Sequence, residues 1–226
     1  MTYKNTPTYA QEQDQLDPLN HFRSEFHIPQ RNGEDCIYFC GNSLGLQPKL
    51  TQSYIQHELD NWKANGVEGH FDEDRPWVEY HKLSKQSLSR LTGGQENEVV
   101  CMNNLTTNLH LLLASFYQPK GKRVKLMIEG GAFPSDHYAA ESHMRRMGID
   151  PAEHLITLTP KQGSIFSTDE IVSAIKNYGD ELALVMFPGI QYYTGQFFDM
   201  KAIAKAAHDS GAYAGFDLAH AVGNLP

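Results

Sequence analysis

Four short runs of mostly apolar residues, at 98–102, 124–129, 182–187 and 212–216, constrain this chain more than any other feature. Their apolar positions follow one another without the polar alternation of a half-exposed sheet, so strands made from them are covered on both faces. Patterns of helical spacing lie between and around them, near 106–117, 135–147, 168–178 and 199–210. This alternation predicts an α/β fold: a mainly parallel sheet with helices on both sides. No internal repeat or low-complexity segment interrupts it.

The first third of the chain reads differently. Residues 1–36 are polar, and Leu16, Leu19, Phe22 and Phe26 are spaced 3, 3 and 4 apart, which predicts one amphipathic helix in an N-terminal arm. Ile37-Tyr38-Phe39 form a short extended run into the turn Gly41-Asn42-Ser43-Leu44-Gly45. Pro48 suits the first turn of a helix running to about Asn65, because proline lacks a donor that this position would leave unused. Residues 73–91 predict a second amphipathic helix stopped by Gly93-Gly94. Residues 37–226 are expected to form one large domain. Pro226 follows a strand and a fresh glycine turn without a closing helix, so the domain is expected to be truncated there, with apolar surface exposed or covered by further sequence.

Charge and composition exclude several function classes. With 27 acidic against 19 basic residues and a formal net charge of −8, the chain lacks the clustered cations that hold a nucleic-acid backbone. No stretch approaches the roughly 20 apolar residues of a membrane span. The first 30 residues lack the basic-then-apolar layout of a signal peptide, so a cytoplasmic location is expected and the Asn104-Leu105-Thr106 sequon carries no meaning. Cys36, Cys40 and Cys101 are too few for a disulfide framework and are expected to be reduced thiols. The scattered histidines show no ligand spacing, so no metal site is expected. There is no P-loop and no G-x-G-x-x-G; His57-Glu58 lacks a second zincin histidine, and Ser43 lacks the flanking glycines of a nucleophile elbow.

In an open parallel sheet, ligands sit beyond the carboxyl ends of the strands. Four loops there are candidates. Asn103 to Asn108 open a helix whose free N–H groups suit a phosphate, although Thr and Asn also serve as plain helix caps. Glu129 to Asp136 form a glycine-softened loop in which Phe133 either stacks on an aromatic cofactor or packs in the core, and Ser135 or Asp136 either serve a site or cap the next helix. Pro188 to Gln196 carry Tyr192, Tyr193 and Thr194, which either line a site or support the loop through hydroxyl hydrogen bonds. Asp217 ends the last apolar run, where a carboxylate can pair with a protonated pyridine nitrogen, and His220 follows three residues later. Helix capping by Asp217 and core packing by His220 are the alternatives.

Six segments taken in order resemble the kynureninase family, within the class V, fold-type-I group of pyridoxal-phosphate enzymes. They are Y-F-C-G-N-S-L-G-L-Q-P at 38–48, W-K-A-N-G-V-E-G-H-F at 62–71 and N-L-T-T-N-L-H-L-L-L-A-S-F-Y at 104–117, followed by A-F-P-S-D at 132–136, Q-Y-Y-T-G-Q at 191–196 and G-F-D-L-A-H-A-V-G-N at 215–224. The resemblance implies that Leu105 and Thr106 hold the cofactor phosphate, that Phe133 stacks on the pyridine ring, and that Pro134, Ser135 and Asp136 lie against the cofactor. It further implies that Asp217 pairs with the pyridine nitrogen with His220 beside it, and that Ser43 and His70 line the kynurenine pocket. Pro188 departs from relatives that carry serine there, which removes one polar contact.

The implied reaction, a step of tryptophan catabolism, is hydrolysis of L-kynurenine or 3-hydroxykynurenine to anthranilate or 3-hydroxyanthranilate plus L-alanine. The implied partners are the small-molecule substrate and, in the full-length form, a second copy in a homodimer. The lysine that forms the Schiff base lies beyond residue 226 in this resemblance, so no catalytic residue is expected within the chain and the chain alone is expected to be inactive. Lys176, Lys201 and Lys205 sit within helical patterns and do not replace it. Two rivals remain at this point: another class V enzyme, of the cysteine desulfurase or transaminase type, and a non-catalytic truncated subunit. Ser43 and the G-V-E-G-H-F segment argue against the first.

Overall fold

A computed structural model describes residues 3–71 and 75–225. Its contacts divide the chain into two compact units, Met1–Tyr80 and His81–Pro226.

In the first unit, α1 (Pro7–Leu16) starts at Thr6, whose hydroxyl accepts from the Tyr9 N–H. It ends at Asp17, held extended at ψ 118° ahead of Pro18, whose ring disfavours the helical conformation in the preceding residue. The expected single helix through Phe26 therefore does not form: Leu19 lies in a turn, Phe22 in a 3-10 segment (Asn20–Glu25), and Leu16, Leu19 and Phe22 are exposed. β1 (Gln30–Arg31) and β2 (Glu34–Asp35) make a small hairpin. Its turn residues Asn32 and Gly33 both have positive φ, as a two-residue hairpin turn requires. The run at 37–39 joins no strand. α2 (Thr51–Asn65) begins three residues later than expected, leaving Pro48 outside it, where its carbonyl accepts from the Thr51 N–H. Gly66 closes the helix at φ 55°.

Residues 72–74, the start of the helix expected at 73–91, lie outside the described residues. The rest of that stretch is divided between a 3-10 segment at Trp77–Lys82 and α3 (Lys85–Thr92), which Gly93 stops in the left-handed region at φ 73°.

The second unit continues with α4 (Leu105–Phe116), β3 (Lys125–Glu129), α5 (Pro134–Arg146), α6 (Pro151–His154), β4 (Leu155–Leu158), α7 (Thr168–Tyr178), β5 (Leu182–Pro188), α8 (Met200–Asp209) and β6 (Tyr213–Asp217). The strands form one parallel sheet in the order β4-β3-β5-β6. Alternate side chains divide between two apolar layers. Met127, Val185 and Phe187 pack with Ile171 and Ile175 of α7 and Ile203 and Ala206 of α8. Leu126, Ile128, Leu184 and Met186 pack with Leu113 of α4 and Ala139, Ala140 and Met144 of α5. The α/β architecture expected from the sequence is thus present, with helices on both faces. Phe187 is 1% exposed and touches Phe166 and Phe198 edge-on; burying such a side chain stabilises the fold by about 1.5–3 kcal/mol.

The run at 98–102 forms no strand. Gln95 and Glu98 close a capping box around a 3-10 turn at Glu96–Glu98, and no strand of the sheet pairs with residues 99–102. Conversely, β4 arises where no strand was expected. Among the described residues no helix is long and apolar enough to cross a membrane, and no cluster of His, Cys, Asp and Glu has metal-binding geometry.

Candidate active site

Parallel pairing brings the ends of β3, β5 and β6 to one edge of the sheet, and the loops leaving that edge carry most of the residues singled out in the sequence. Asp217 is the last residue of β6, in register with Pro188 at the end of β5. Its Oδ1 accepts from the Ala219 N–H at 2.8 Å, which fixes the carboxylate against the turn beyond the strand.

Asp136 reaches the same place from α5. It stands in the helix's first turn and is 3% exposed. Neither it nor Ser135 is the cap: Phe133 occupies that position without a side-chain bond, and Pro134 is the first helical residue. Ser135 Oγ donates to Asp136 Oδ1 at 3.3 Å. Burial pushes the Asp136 carboxyl up to about 7, and the charge of Asp217 and a hydrogen bond to it push the same way. Among the described residues no Lys, Arg or His forms an ion pair with either carboxyl. Two neighbouring carboxyl groups, one raised by burial and neither in an ion pair among the described residues, suit a ligand that presents a cationic N–H.

Rings continue the edge. Phe133, half exposed, meets Tyr192 edge-on at 5.2 Å between centroids, and Tyr192 lies 6.3 Å from His220. At the start of α4, Asn104 takes the cap by accepting from the Thr107 N–H at 2.9 Å. The N–H groups of Leu105 and Thr106, first and second in the helix, have no acceptor within it and carry the positive end of its dipole. Leu105 also lines an apolar cleft of about 630 Å³ whose walls include Leu109, Met186, Phe216 and Asp217. A phosphate, a flat ring and a cationic ring nitrogen therefore each have matching groups on this edge.

Two residues that sequence reasoning passed over hold the loops together. Glu129, 3% exposed at the end of β3, accepts from the Gly131 N–H at 2.7 Å. Burial raises its carboxyl above the ordinary value, and the Gly131 N–H, the Gln191 amide and nearby His137 partly offset that rise. Gln191 donates to the Gly131 carbonyl at 2.7 Å and accepts from the Tyr193 and Thr194 N–H groups at 2.6 and 2.7 Å. The loop after β5 is thus supported by an amide side chain rather than by tyrosine hydroxyls; Tyr193 is 86% exposed. Asp and Glu at a strand end were the available signal, but Gln191 lies 60 residues from Gly131 and nothing local marks it.

Ser43 and His70 belong to the first unit. Ser43 sits in the glycine turn, its N–H donating to Cys40 O at 3.0 Å, while the Tyr38 hydroxyl donates to Leu44 O at 2.7 Å. His70 Nδ1 lies 2.8 Å from the Val67 carbonyl, and its ring meets Trp77 edge-on at 5.2 Å. Trp77 is in turn anchored by its Nε1–H on Glu58 Oε2 at 2.7 Å.

No family model matches the chain. It is 49% identical over 227 residues to a kynureninase of Xanthomonas campestris pv. campestris (strain B100), covering all of this chain and 54% of that protein. A kynureninase of Christiangramia forsetii is 45% identical over 226 residues, with 100% and 53% covered, and one of Koribacter versatilis is 46% identical over 225 residues, with 99% and 53% covered. The chain spans about half the length of the curated relatives it matches. Among solved structures, a cystine C-S lyase in complex with cysteine persulfide superposes with a TM-score of 0.65 at 16% identity, covering 82% of this chain and 48% of that one. A cysteine desulfurase from Thermococcus onnurineus NA1 superposes with a TM-score of 0.59 at 17% identity, covering 96% and 48%. These two likenesses establish the fold alone.

Proposed function

We propose that this chain, which is similar to kynureninases along its whole length, supplies the pyridoxal-phosphate-binding part of an enzyme that hydrolyses L-kynurenine or 3-hydroxykynurenine to anthranilate or 3-hydroxyanthranilate and L-alanine. The observation that carries the reading is the Asp136–Asp217 pair at the end of β6, buried on the Asp136 side and without an ion-paired cation among the described residues. When bound, pyridoxal phosphate supplies an electron sink for the carbanion left by loss of the substrate's α-proton.

The chain's own residues bind and orient. Asp217 would accept from the ring nitrogen, with Asp136 beside it, its carboxyl raised by burial and by the Asp217 charge. The Leu105 and Thr106 N–H groups receive the phosphate at the positive end of α4. Phe133 would offer its ring to the cofactor, with Pro134 and Ser135 shaping the same loop and His220 near Tyr192. Resemblance to kynureninases alone assigns Ser43 and His70 to the kynurenine pocket. His70, whose Nδ1 faces a carbonyl and must carry the proton there when the ring is neutral, presents Nε2 as an acceptor. The reading includes a cytoplasmic homodimer.

The test is pyridoxal phosphate titration of the protein and its Asp217→Ala variant, followed by cofactor absorbance, together with anthranilate fluorescence from the complete protein supplied with kynurenine. Loss of cofactor affinity in the variant and anthranilate release by the complete protein are expected. Equal affinity in both proteins, or no anthranilate, would overturn the reading.

A further inference from the structure

We propose that Gln191 and Glu129 are positioning residues: they clamp the loop after β3 to the loop after β5 and thereby set where Phe133 and Tyr192 present their rings. This deepens the cofactor reading above and rests on it.

The clamp is built around one glycine. Gly131 has its N–H held by Glu129 and its carbonyl held by Gln191, so both of its backbone polar groups are taken by side chains from different strand ends. A side chain at Gly131 would crowd the clamp, since a Cβ there would stand 3.0 Å from both Gln191 Nε2 and Glu129 Oε1 and those side chains would have to give way. Gln191, 6% exposed, uses both ends of its amide, and the Oε1 end closes the turn through Tyr193 and Thr194. Buried polar groups of this kind are costly to leave unpaired, so each holds its partner to one direction.

What the clamp carries makes it functional. Phe133 is two residues beyond Gly131 and Tyr192 is the residue after Gln191, so the two rings that meet at 5.2 Å grow from the clamped points. The far end of the second loop has its own anchor, where the Gln196 side chain exchanges bonds of 2.9 and 2.8 Å with the backbone of Phe166. Loosening Gln191 therefore frees the ring-bearing end and leaves the loop attached.

Two substitutions separate the parts. Gln191→Glu keeps the acceptor for Tyr193 and Thr194 but removes the donor to Gly131 and sets a second carboxyl beside Glu129. Gln191→Leu removes every polar contact. In the complete protein, loss of the bond from Gln191 to the Gly131 carbonyl is expected to loosen the loop and so accelerate exchange of the Gly131 N–H, which Glu129 holds, about tenfold or more in both variants. Exchange at Tyr193 and Thr194 is expected to accelerate only in Gln191→Leu. At saturating pyridoxal phosphate, the circular-dichroism band of the bound cofactor should change in both variants, a readout that altered stability alone does not move. Glu129→Gln, which retains the acceptor for Gly131, should preserve that band, whereas Glu129→Ala should not. Normal cofactor binding with unaltered Gly131 exchange, or with an unaltered dichroism band, overturns the clamp alone. Failure of the unsubstituted protein to bind pyridoxal phosphate overturns the cofactor reading and, with it, the positioning role.

Discussion

Replacing Asp136 by asparagine tests whether the strand-end acids share a proton. Asp136 is buried and its carboxyl is raised from 3.8 to about 7 by desolvation first and by Asp217 second. The folded protein therefore keeps a proton that the unfolded chain releases above about 3.8. Such a group stabilises the fold fully at pH below that value, and its contribution is lost as pH rises toward 7. The size of the pH-dependent contribution is on the order of 4 kcal/mol, from 1.36 kcal/mol for each pH unit over which the proton is retained. Asparagine has the same shape, remains neutral throughout, and keeps an N–H donor for Asp217. The stability of Asp136→Asn minus that of the unsubstituted protein should therefore be small near pH 4, grow in favour of the variant through pH 5 and 6, and level off above 7. Urea unfolding at each pH, followed by far-ultraviolet circular dichroism, measures that difference, and subtraction removes the titrations common to both proteins. Tryptophan fluorescence would be the wrong probe, because Trp62 and Trp77 both lie in the first unit. A difference that is flat with pH, or that grows toward acid, refutes the shared proton.

Gly69→Ala probes the support beneath His70. The added methyl would stand 3.0 Å from Trp77 Cη2 and 3.1 Å from Asn61 Oδ1, so overpacking should cost about 1–3 kcal/mol and shift tryptophan emission as Trp77 leaves Glu58. In the complete protein the KM for kynurenine should rise while pyridoxal phosphate affinity holds; unchanged emission and KM would show that Trp77 gives way without consequence. Phe133→Leu removes a ring but keeps an apolar side chain. An aromatic contact is worth about 0.5–1.5 kcal/mol beyond burial, so cofactor dissociation should rise about two- to tenfold in titration, and an unchanged constant would exclude stacking by Phe133.

The parts of the fold that could be read in advance are those whose neighbours do not change the answer. β5 is apolar at every position but its last and is buried along its length, so no register or partner could make it anything but a central strand. α4, α7 and α8 have strong caps at Asn104, Ser167 and Asp199, and their observed spans lie within a residue or two of the spacing pattern. The misreadings of β4 and of the 98–102 run turn on something outside the local pattern. β4 is four residues long, follows directly from α6 and leaves Thr157 exposed, so only its pairing with β3 identifies it. The 98–102 run is apolar enough for a strand, yet a strand needs an edge to bind, and none meets it. Pro18 breaks a spacing pattern that counts only the apolar positions on either side of it.

Legibility of the site follows the same division and exposes what the strand ends are for. Asp217 and Asp136 each stand where local rules place ligand groups, at a strand end and in a helix's first turn. That they share one point is a tertiary fact, arising because β6 pairs with β5 while α5 packs on the α4 side of the sheet. The buried polar groups of this edge then separate into two sets. Glu129 Oε1, Gln191 and the backbone of Gly131, Tyr193 and Thr194 answer one another's donors and acceptors, while Glu129 Oε2 is buried without a hydrogen-bond partner among the described residues. Asp136 and Asp217 are answered only in part, by Ser135 and by the Ala219 N–H, and burial together with the neighbouring charge raises the Asp136 carboxyl. A cation placed against the pair would offset the charge that raises Asp136. The first set gives the loops their shape, and the second is the part of the edge where the proposed cationic ring nitrogen would bind.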